Sequence, residues 1–336
     1  MTTSTCLITG GSGFVGRRLI ERLVAHGWRV RALTRSDEAS LSVSKYGALP
    51  VPGSLNDTAS LTAAARGCDV VIHVAALFKL WGNRDEFERS NVQGTANLLR
   101  AAAAASVKRF VQVGAAAVVM GDLAPMLQVD ESLPRQERAW APYSASKARS
   151  EALVLGANRP GVFETVVVRP PMIWGAGMPT LDHMIETVRA GQFRWVGDGT
   201  QAMSTAHVDN VCHAVELAIE KGRGGEAYFV SDGAESTFKQ VISGLLQTRA
   251  IEPPSASAPL PVAWAMASLM EWIWRTFSRH GEPPLTRQML RLIGKPFTLD
   301  ISKAQRELGY QPVISWAQGI QAMYVATQDS TQRMKR

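Results

Sequence analysis

Tyr143 and Lys147 stand in the stretch Ala141-Pro142-Tyr143-Ser144-Ala145-Ser146-Lys147. Pro142 suits the first turn of a helix, and an i, i+4 spacing puts the phenol and the ammonium on one helix face. A tyrosine with its ordinary pKa near ~10 is a poor base at neutral pH. A neighbouring ammonium favours the phenolate and lowers that value. The pair therefore predicts proton exchange with a substrate oxygen. A second run, Thr9-Gly10-Gly11-Ser12-Gly13-Phe14-Val15-Gly16, has glycines at 10, 13 and 16. A side chain at Gly10 or Gly13 would hold a diphosphate away from the backbone amides, and Gly16 lets a helix lie close on a sheet. The free amides and dipole of a helix N-terminus favour the anion. Phe14 and Val15 open that helix and complete the predicted cradle.

A residue near the next strand end selects the dinucleotide. Sites for NAD place a carboxylate there, to accept hydrogen bonds from the ribose hydroxyls. Here the segment reads Leu33-Thr34-Arg35-Ser36, with no carboxylate before Asp37. Arg35 can pair with a 2′-phosphate, and Thr34 or Ser36 can donate to it. NADP(H) is the expected cofactor, with NAD(H) left open. His73, His183 and His207 lack metal-ligand spacing and are expected to be structural, so no metal is expected.

The elements that must position these groups alternate in type. Cys6–Thr9 reads as a strand, Phe14 to His26 as an amphipathic helix ended by Gly27, and Val30–Leu33 as a second strand. Asp69 to Val74 is another strand, followed by a helix through Asn91 and Leu98 and a strand at Arg109 to Val113. Ala101 to Ala105 reads as the close-packed end of that helix. Val166–Val168 and Ala227–Val230 are later strands. This alternation predicts an α/β chain with a doubly wound parallel sheet. Beyond it, Pro253-Pro254, Pro259, Pro261 and Pro283-Pro284 punctuate a looser region, expected to form a smaller C-terminal substrate lobe over the strand ends. The expected division is 1–174 for the nucleotide domain, with 207–232 returning to it, and 175–206 with 233–330 for the lobe.

The 336 residues, 46% of them hydrophobic, suffice for a large core. The formal charge of +7 is spread without a dense basic run, so no nucleic-acid partner is expected. Three widely spaced cysteines, Cys6, Cys68 and Cys212, suit free thiols in a reducing compartment. No secretory signal is expected from the opening residues, and the apolar stretch Pro261 to Met270 is cut by Glu271 and Arg275, short of the ~20 residues of a membrane span. The expected location is the cytoplasm.

The cradle, His73-Val74-Ala75-Ala76, Asn91-Val92-Gln93-Gly94-Thr95, Tyr143/Lys147 and Val168-Arg169-Pro170 fall in the order of the extended short-chain dehydrogenases/reductases, and the chain resembles that family over nearly its whole length. The resemblance implies a Rossmann core and hydride transfer with a nicotinamide cofactor. It implies that Lys147 also holds the nicotinamide ribose, that Ser54, Leu55, Ala75 and Ala76 line the cofactor, and that Pro170 to Ile173 lie beside the nicotinamide. One departure stands out. Aligned on Gly121-Asp122, the family's Ser or Thr that hydrogen-bonds the reacting oxygen falls at Ala116. Removing such a donor costs roughly 10²–10³ in rate, which keeps open a binding protein with impaired catalysis.

Within the family, epimerases and dehydratases of sugar nucleotides usually carry a diphosphate-binding arginine where this chain has Met203. A thioether cannot replace it. Val208-Asp209-Asn210, Gly281–Arg287, Ser302-Lys303-Ala304 and Leu308–Pro312 are instead similar to the 3β-hydroxysteroid dehydrogenase branch. That likeness implies a small hydrophobic ketone or secondary alcohol as substrate. Trp264, Trp272 and Trp274, with Met266 and Met270, are expected to form an apolar wall, a membrane-facing lip or an ordinary packed helix; peripheral membrane contact and a homodimer both stay open.

Overall fold

The computed structural model describes residues 4–121, 124–277 and 279–334. Asp122, one anchor of the alignment above, lies outside them. Seven strands form the central sheet: β1 (Thr5–Thr9), β2 (Arg29–Thr34), β3 (Leu49–Pro52), β4 (Val70–His73), β5 (Arg109–Val113), β6 (Glu164–Arg169) and β7 (Glu226–Phe229). Their order is β7-β6-β5-β4-β1-β2-β3, and every pairing is parallel. The chain thus winds outward in one direction from β1 and in the other from β4. The crevice at that switch, over the carboxyl ends of the strands, is where open sheets of this kind bind ligands. This is the doubly wound Rossmann architecture.

The strands are short apolar runs because both faces of the sheet are covered. Side chains alternate between faces. Cys6, Ile8, Val70, Ile72, Val111, Val113, Val166 and Val168 enter one buried cluster, whereas Leu7, Val71, Phe110 and Val167 enter the other. The helices that matter for the site are α1 (Phe14–Ala25), α2 (Asp37–Ser44), α3 (Thr58–Ala65), α4 (Gly94–Ala104), α5 (Pro142–Gly156), α6 (Val208–Lys221), α7 (Leu260–Thr276) and α8 (Arg287–Ile293). Helix α1 ends one residue before the expected His26, which is its C-cap, and Gly27 follows with φ +80°. Ala101 and Ala102 of α4 are fully buried among the second cluster. Strand β3 has no counterpart in the sequence reading, because Pro50 and Pro52 argue against a strand. It is tolerated at the sheet edge, where β3 pairs with β2 alone and a missing N–H breaks no inner ladder.

Smaller pieces, mostly from the C-terminal region but including the earlier strand Met126–Val129, complete the fold. A four-stranded sheet contains Ala202–Met203, Phe297–Leu299, Met126–Val129 and Ser236–Thr237. A third apolar cluster gathers Trp174, Trp195, Phe238, Leu245 and Leu246. A fourth, of four buried residues, joins Ala263 and Ala267 of α7 to Leu290 of α8 and Val196.

Candidate active site

The glycine run turns directly from β1 into α1. Gly10 has φ +72°, and a Cβ there would stand 2.7 Å from the Ala75 amide nitrogen. The loop after β4 therefore closes on the cradle so tightly that only hydrogen fits. At Gly16 a Cβ would meet the Gly10 carbonyl oxygen at 2.1 Å and Gly11 Cα at 2.7 Å. The close approach that Gly16 permits is thus between α1 and the cradle loop itself, rather than with the sheet as the sequence suggested. Gly13 caps α1 with extended backbone and no side-chain bond, so the first-turn amides keep no side-chain acceptor. A backbone cradle at a helix N-terminus, narrowed by Ala75, fits a dinucleotide diphosphate.

A buried polar chain holds that loop in place. The Ala75 amide donates to Thr9 Oγ1 at 3.3 Å, Thr9 Oγ1 lies 2.7 Å from His73 Nδ1, and His73 Nε2 lies 2.9 Å from Thr95 Oγ1. Thr95 Oγ1 is 2.9 Å from Ser150 Oγ of α5, which accepts from Gln112 Nε2 at 2.7 Å. Burial, assisted by the charge of Lys147, pulls the His73 pKa down to about 3. His73 is therefore a neutral connector, which agrees with its reading as structural. Sequence reasoning did not foresee this chain. A signal existed, in Thr9 and His73 at the carboxyl ends of two otherwise apolar strands.

Tyr143 and Lys147 lie on α5, with Pro142 in its first turn. Lys147 is buried and its Nζ donates to the Val113 carbonyl at 2.9 Å, at the end of β5. Burial lowers its pKa to about 8, against an opposing pull from Glu151. The Glu151 carboxylate is itself held by the Arg169 guanidinium, with contacts down to 2.5 Å. Burial raises the Tyr143 pKa above its ordinary value. Desolvation thus opposes the phenolate that the lysine is expected to favour. The Phe78 ring packs edge-on against Tyr143 at 5.0 Å.

Three residues fix the start of α5. Asn91 lies in a π-helical segment, Glu88–Gln93, a form of helix often found at functional sites. Its Nδ2 donates to Leu77 O at 3.1 Å and to Ser146 Oγ at 2.9 Å, and its Oδ1 accepts from Leu77 N at 2.7 Å. Ser146 Oγ donates to Tyr143 O at 2.8 Å, so this hydroxyl is already engaged. Gln288 of α8, buried, accepts from Tyr143 N at 3.3 Å and donates to Lys79 O at 3.0 Å. Nothing near Gln288 in the sequence marks it, because its partners are supplied by distant segments.

Other expected residues divide into those gathered at the crevice and those farther out. The Ala116 amide donates to Pro170 O at 2.8 Å, which joins the loops after β5 and β6. Ala116 is fully buried in an apolar cluster with Val113, Val118 and Val119. Its methyl is packed in protein rather than set on an open wall. Ile173 follows Pro170 in the strand Met172–Trp174, paired with Ala206. Ser54 and Leu55 follow β3, two strands from β1, where Leu55 O accepts from Asn97 Nδ2 at 2.8 Å. Arg35 is exposed just beyond β2. Of its expected helpers, Thr34 is buried, its Oγ1 donating to Val51 O at 3.5 Å and accepting from Ser40 Oγ at 2.9 Å, whereas Ser36 Oγ caps α2 by accepting from Ala39 N at 3.2 Å and keeps its own O–H to donate. Met203 lies against the apolar cluster around Trp174 and Trp195. His207 caps α6 by accepting from Asp209 N at 3.2 Å, and His183 is exposed. Among the described residues no group of three or more His, Cys, Asp or Glu could hold a metal ion.

Residues 7–262 match the family model of the 3-beta hydroxysteroid dehydrogenase/isomerase family. The chain is 44% identical to a 4-hydroxy-2-methyl-3-oxo-4-farnesyl-3,4-dihydroquinoline-1-oxide ketoreductase of Stigmatella aurantiaca, over 94% of both chains. It is 32% identical to a decarboxylating sterol-4-alpha-carboxylate 3-dehydrogenase of Dictyostelium discoideum, over 93% of this chain and 98% of the relative. A 2-alkyl-3-oxoalkanoate reductase of Stenotrophomonas maltophilia is 33% identical, over 94% and 97%. Among solved structures, gox2253 superposes with a TM-score of 0.79 at 27% identity, covering 98% of this chain and 99% of that one. DesIV of Streptomyces venezuelae, a dTDP-glucose 4,6-dehydratase with NAD bound, shares the fold at a TM-score of 0.75 and 24% identity, over 98% of both chains.

Proposed function

Because the chain belongs to the 3-beta hydroxysteroid dehydrogenase/isomerase family and is an oxidoreductase of the NAD(P)-dependent dehydrogenase/reductase type, we propose that it reduces a hydrophobic ketone to a secondary alcohol with NADPH. The observation that carries the reading is the pairing of half-buried Tyr143 with buried Lys147 on one helix, where Lys147 meets the end of β5, two strands from the glycine cradle after β1. Gly10, Gly13, Gly16 and Ala75 would hold the dinucleotide diphosphate, and Arg35 a 2′-phosphate. The bound nicotinamide supplies the hydride. Tyr143 gives its proton to the substrate oxygen as that oxygen gains charge. Lys147 keeps a positive charge next to the reacting end and, by the family likeness, orients the ribose. Neutral His73 and its threonine partners hold the Ala75 loop against the cradle.

The hydrophobic substrate class draws support from the farnesylated quinoline, sterol and alkyl substrates in the relatives' names. The apolar packing of Met203, where sugar-nucleotide enzymes usually use an arginine, points the same way. Unpaired thiols at Cys6, Cys68 and Cys212 suit a reducing compartment, and we place the enzyme in the cytoplasm.

The test combines cofactor titration with steady-state turnover. NADPH should bind about tenfold or more tightly than NADH, and Arg35→Ala should erase the difference, since a charge-assisted bond is worth about 1.5–3 kcal/mol. On a panel of lipophilic ketones and of sugar nucleotides, only ketones should be reduced. Tyr143→Phe should lower kcat about 10²–10⁴-fold with dinucleotide affinity nearly intact. NADPH binding with no turnover in the wild type would instead establish a non-catalytic binding protein.

A further inference from the structure

The start of α5 lacks a cap of its own. Ala141 stands at the N-cap without a side-chain acceptor, and Pro142, in the first helical position, has no N–H. Tyr143 therefore brings the first amide N–H of the helix, at a position that an N-cap oxygen ordinarily accepts from. The acceptor comes from a distant part of the chain: Oε1 of Gln288, at 3.3 Å. The other end of the same side-chain amide, Nε2, donates to Lys79 O at 3.0 Å. Gln288 is 2% exposed, so solvent has little access to take its place.

Gln288 has a fixed base. Thr286 Oγ1 caps α8 by accepting from Met289 N at 3.0 Å, and Arg287 N and Nε each donate to the Glu271 carboxylate at 2.8 Å. The Arg287 guanidinium lies over the Trp140 ring at 5.6 Å, and Leu290 is buried with Ala263 and Ala267 of α7. The two backbones that Gln288 joins carry two rings in contact. Lys79 follows Phe78, whose ring meets that of Tyr143 at 5.0 Å and 87°. Phe78 is 52% exposed, so its place depends on the backbone on either side of it. Asn91 holds that backbone at Leu77, and Gln288 holds it at Lys79. Lys147 is held separately, by the Val113 carbonyl at the end of β5.

We infer that Gln288 is a positioning residue for Tyr143: it caps α5 from α8 and sets the phenol, together with the Phe78 ring, relative to the separately anchored Lys147. A phenol oxygen stands at the far end of a rigid ring, so a small tilt of the first helical turn moves the oxygen by more than it moves the backbone. Misplacing a reacting group by about 1 Å costs roughly 10²-fold in rate. A residue that only tied α8 to the core would leave the reactivity of the phenol alone once the protein is folded. The kinetic consequence rests on the proposed function; the positioning does not.

The test is a double-mutant cycle between Gln288→Met and Tyr143→Phe, read as kcat and KM for ketone reduction at a temperature where every variant is folded. Gln288→Met keeps the length of the side chain and removes both hydrogen bonds. Alone it should lower kcat roughly 10²-fold, with KM for NADPH little changed. In the Tyr143→Phe background it should lower kcat no further, because no phenol is left to position. Gln288→Glu keeps an acceptor for Tyr143 N and should retain more of kcat than Gln288→Met. If Gln288→Met does not fold, the same cycle is run with Gln288→Glu. An equal loss in both backgrounds would overturn the inference, as would a lowered melting temperature with kcat intact. A readout without turnover is the NMR signal of the Tyr143 ring in protein labelled at its five tyrosines, assigned by its disappearance in Tyr143→Phe. Gln288→Met should shift or broaden that signal in the absence of dinucleotide and ketone, and an unchanged signal would overturn the inference. A shifted signal in a chain that reduces no ketone would uphold the positioning and sink only the reductase reading.

Discussion

The cradle side and the α7–α8 side of the site handle their apolar residues in opposite ways. Around the cradle, strand residues are buried on both faces of the sheet, and the loops that meet there are spaced by bare backbone at Gly10 and Gly16. On the other side, α7 buries only Ala263, Ala267 and Glu271, with Leu260 and Trp264 packed at their edge, while Val262, Met266, Leu269 and Trp272 face outward. The first region presents a rigid shape for a ligand common to many enzymes. The second has few contacts to constrain its sequence, and positions of that kind are free to change with the substrate or surface they meet. The two are joined by Gln288, which reaches from α8 to the backbone at Tyr143 and Lys79.

The largest expected contrast is between equivalent substitutions on the two sides. Gly16→Ala drives a methyl into the Gly10 carbonyl oxygen and Gly11 Cα, both backbone atoms that cannot rotate away. It should cost about 3 kcal/mol or more and remove dinucleotide binding. Gly281→Ala, at φ +80° with nothing within 4 Å, should cost only about 1–2 kcal/mol for the left-handed backbone. Similar melting temperatures for the two variants would break the comparison.

A smaller effect should appear in the pH dependence of kcat/KM for ketone reduction. Lys147, with its pKa near 8, loses its charge as pH rises, whereas burial keeps the Tyr143 proton in place over the same window. Activity should therefore be level below about pH 7 and fall about tenfold per unit well above pH 8. If Lys147→Arg remains active, it should move the fall to higher pH, because a guanidinium does not titrate there. A wild-type profile level through pH 10 would remove Lys147 charge from the mechanism.

The smallest effect concerns Ala116. On the family likeness alone, Ala116→Ser restores a donor to the reacting oxygen and should speed the reaction. The structure buries the methyl completely, so the added hydroxyl should instead cost about 1–2 kcal/mol as a poorly satisfied polar group, with no gain in rate. Thermal melting and steady-state reduction, measured together, decide it. A faster enzyme with an unchanged melting temperature would show that the site lacks only that hydroxyl.

The parts legible in the sequence are those whose logic is local. The glycine run, the Tyr143/Lys147 spacing and the apolar strand runs each involve residues within one turn or one element, where periodicity and backbone preference act directly. The sequence thus determined the parallel sheet and the two groups most suited to the chemistry, while the strand order that sets the switch point came from the tertiary structure. Tertiary structure decided the rest, because the partners come from far along the chain. Gln288 meets Tyr143 across 145 positions, and Thr9 meets His73 across 64. Thr34 looks like a phosphate donor in sequence, yet it is buried, with its hydroxyl engaged by Val51 O and Ser40. The desolvation that raises the Tyr143 pKa depends on everything packed around the phenol, which the sequence does not show. Whether α7 turns its tryptophans inward or outward was likewise undecided by its sequence, since a helix apolar all round has no preferred inner face until a neighbour such as α8 provides one.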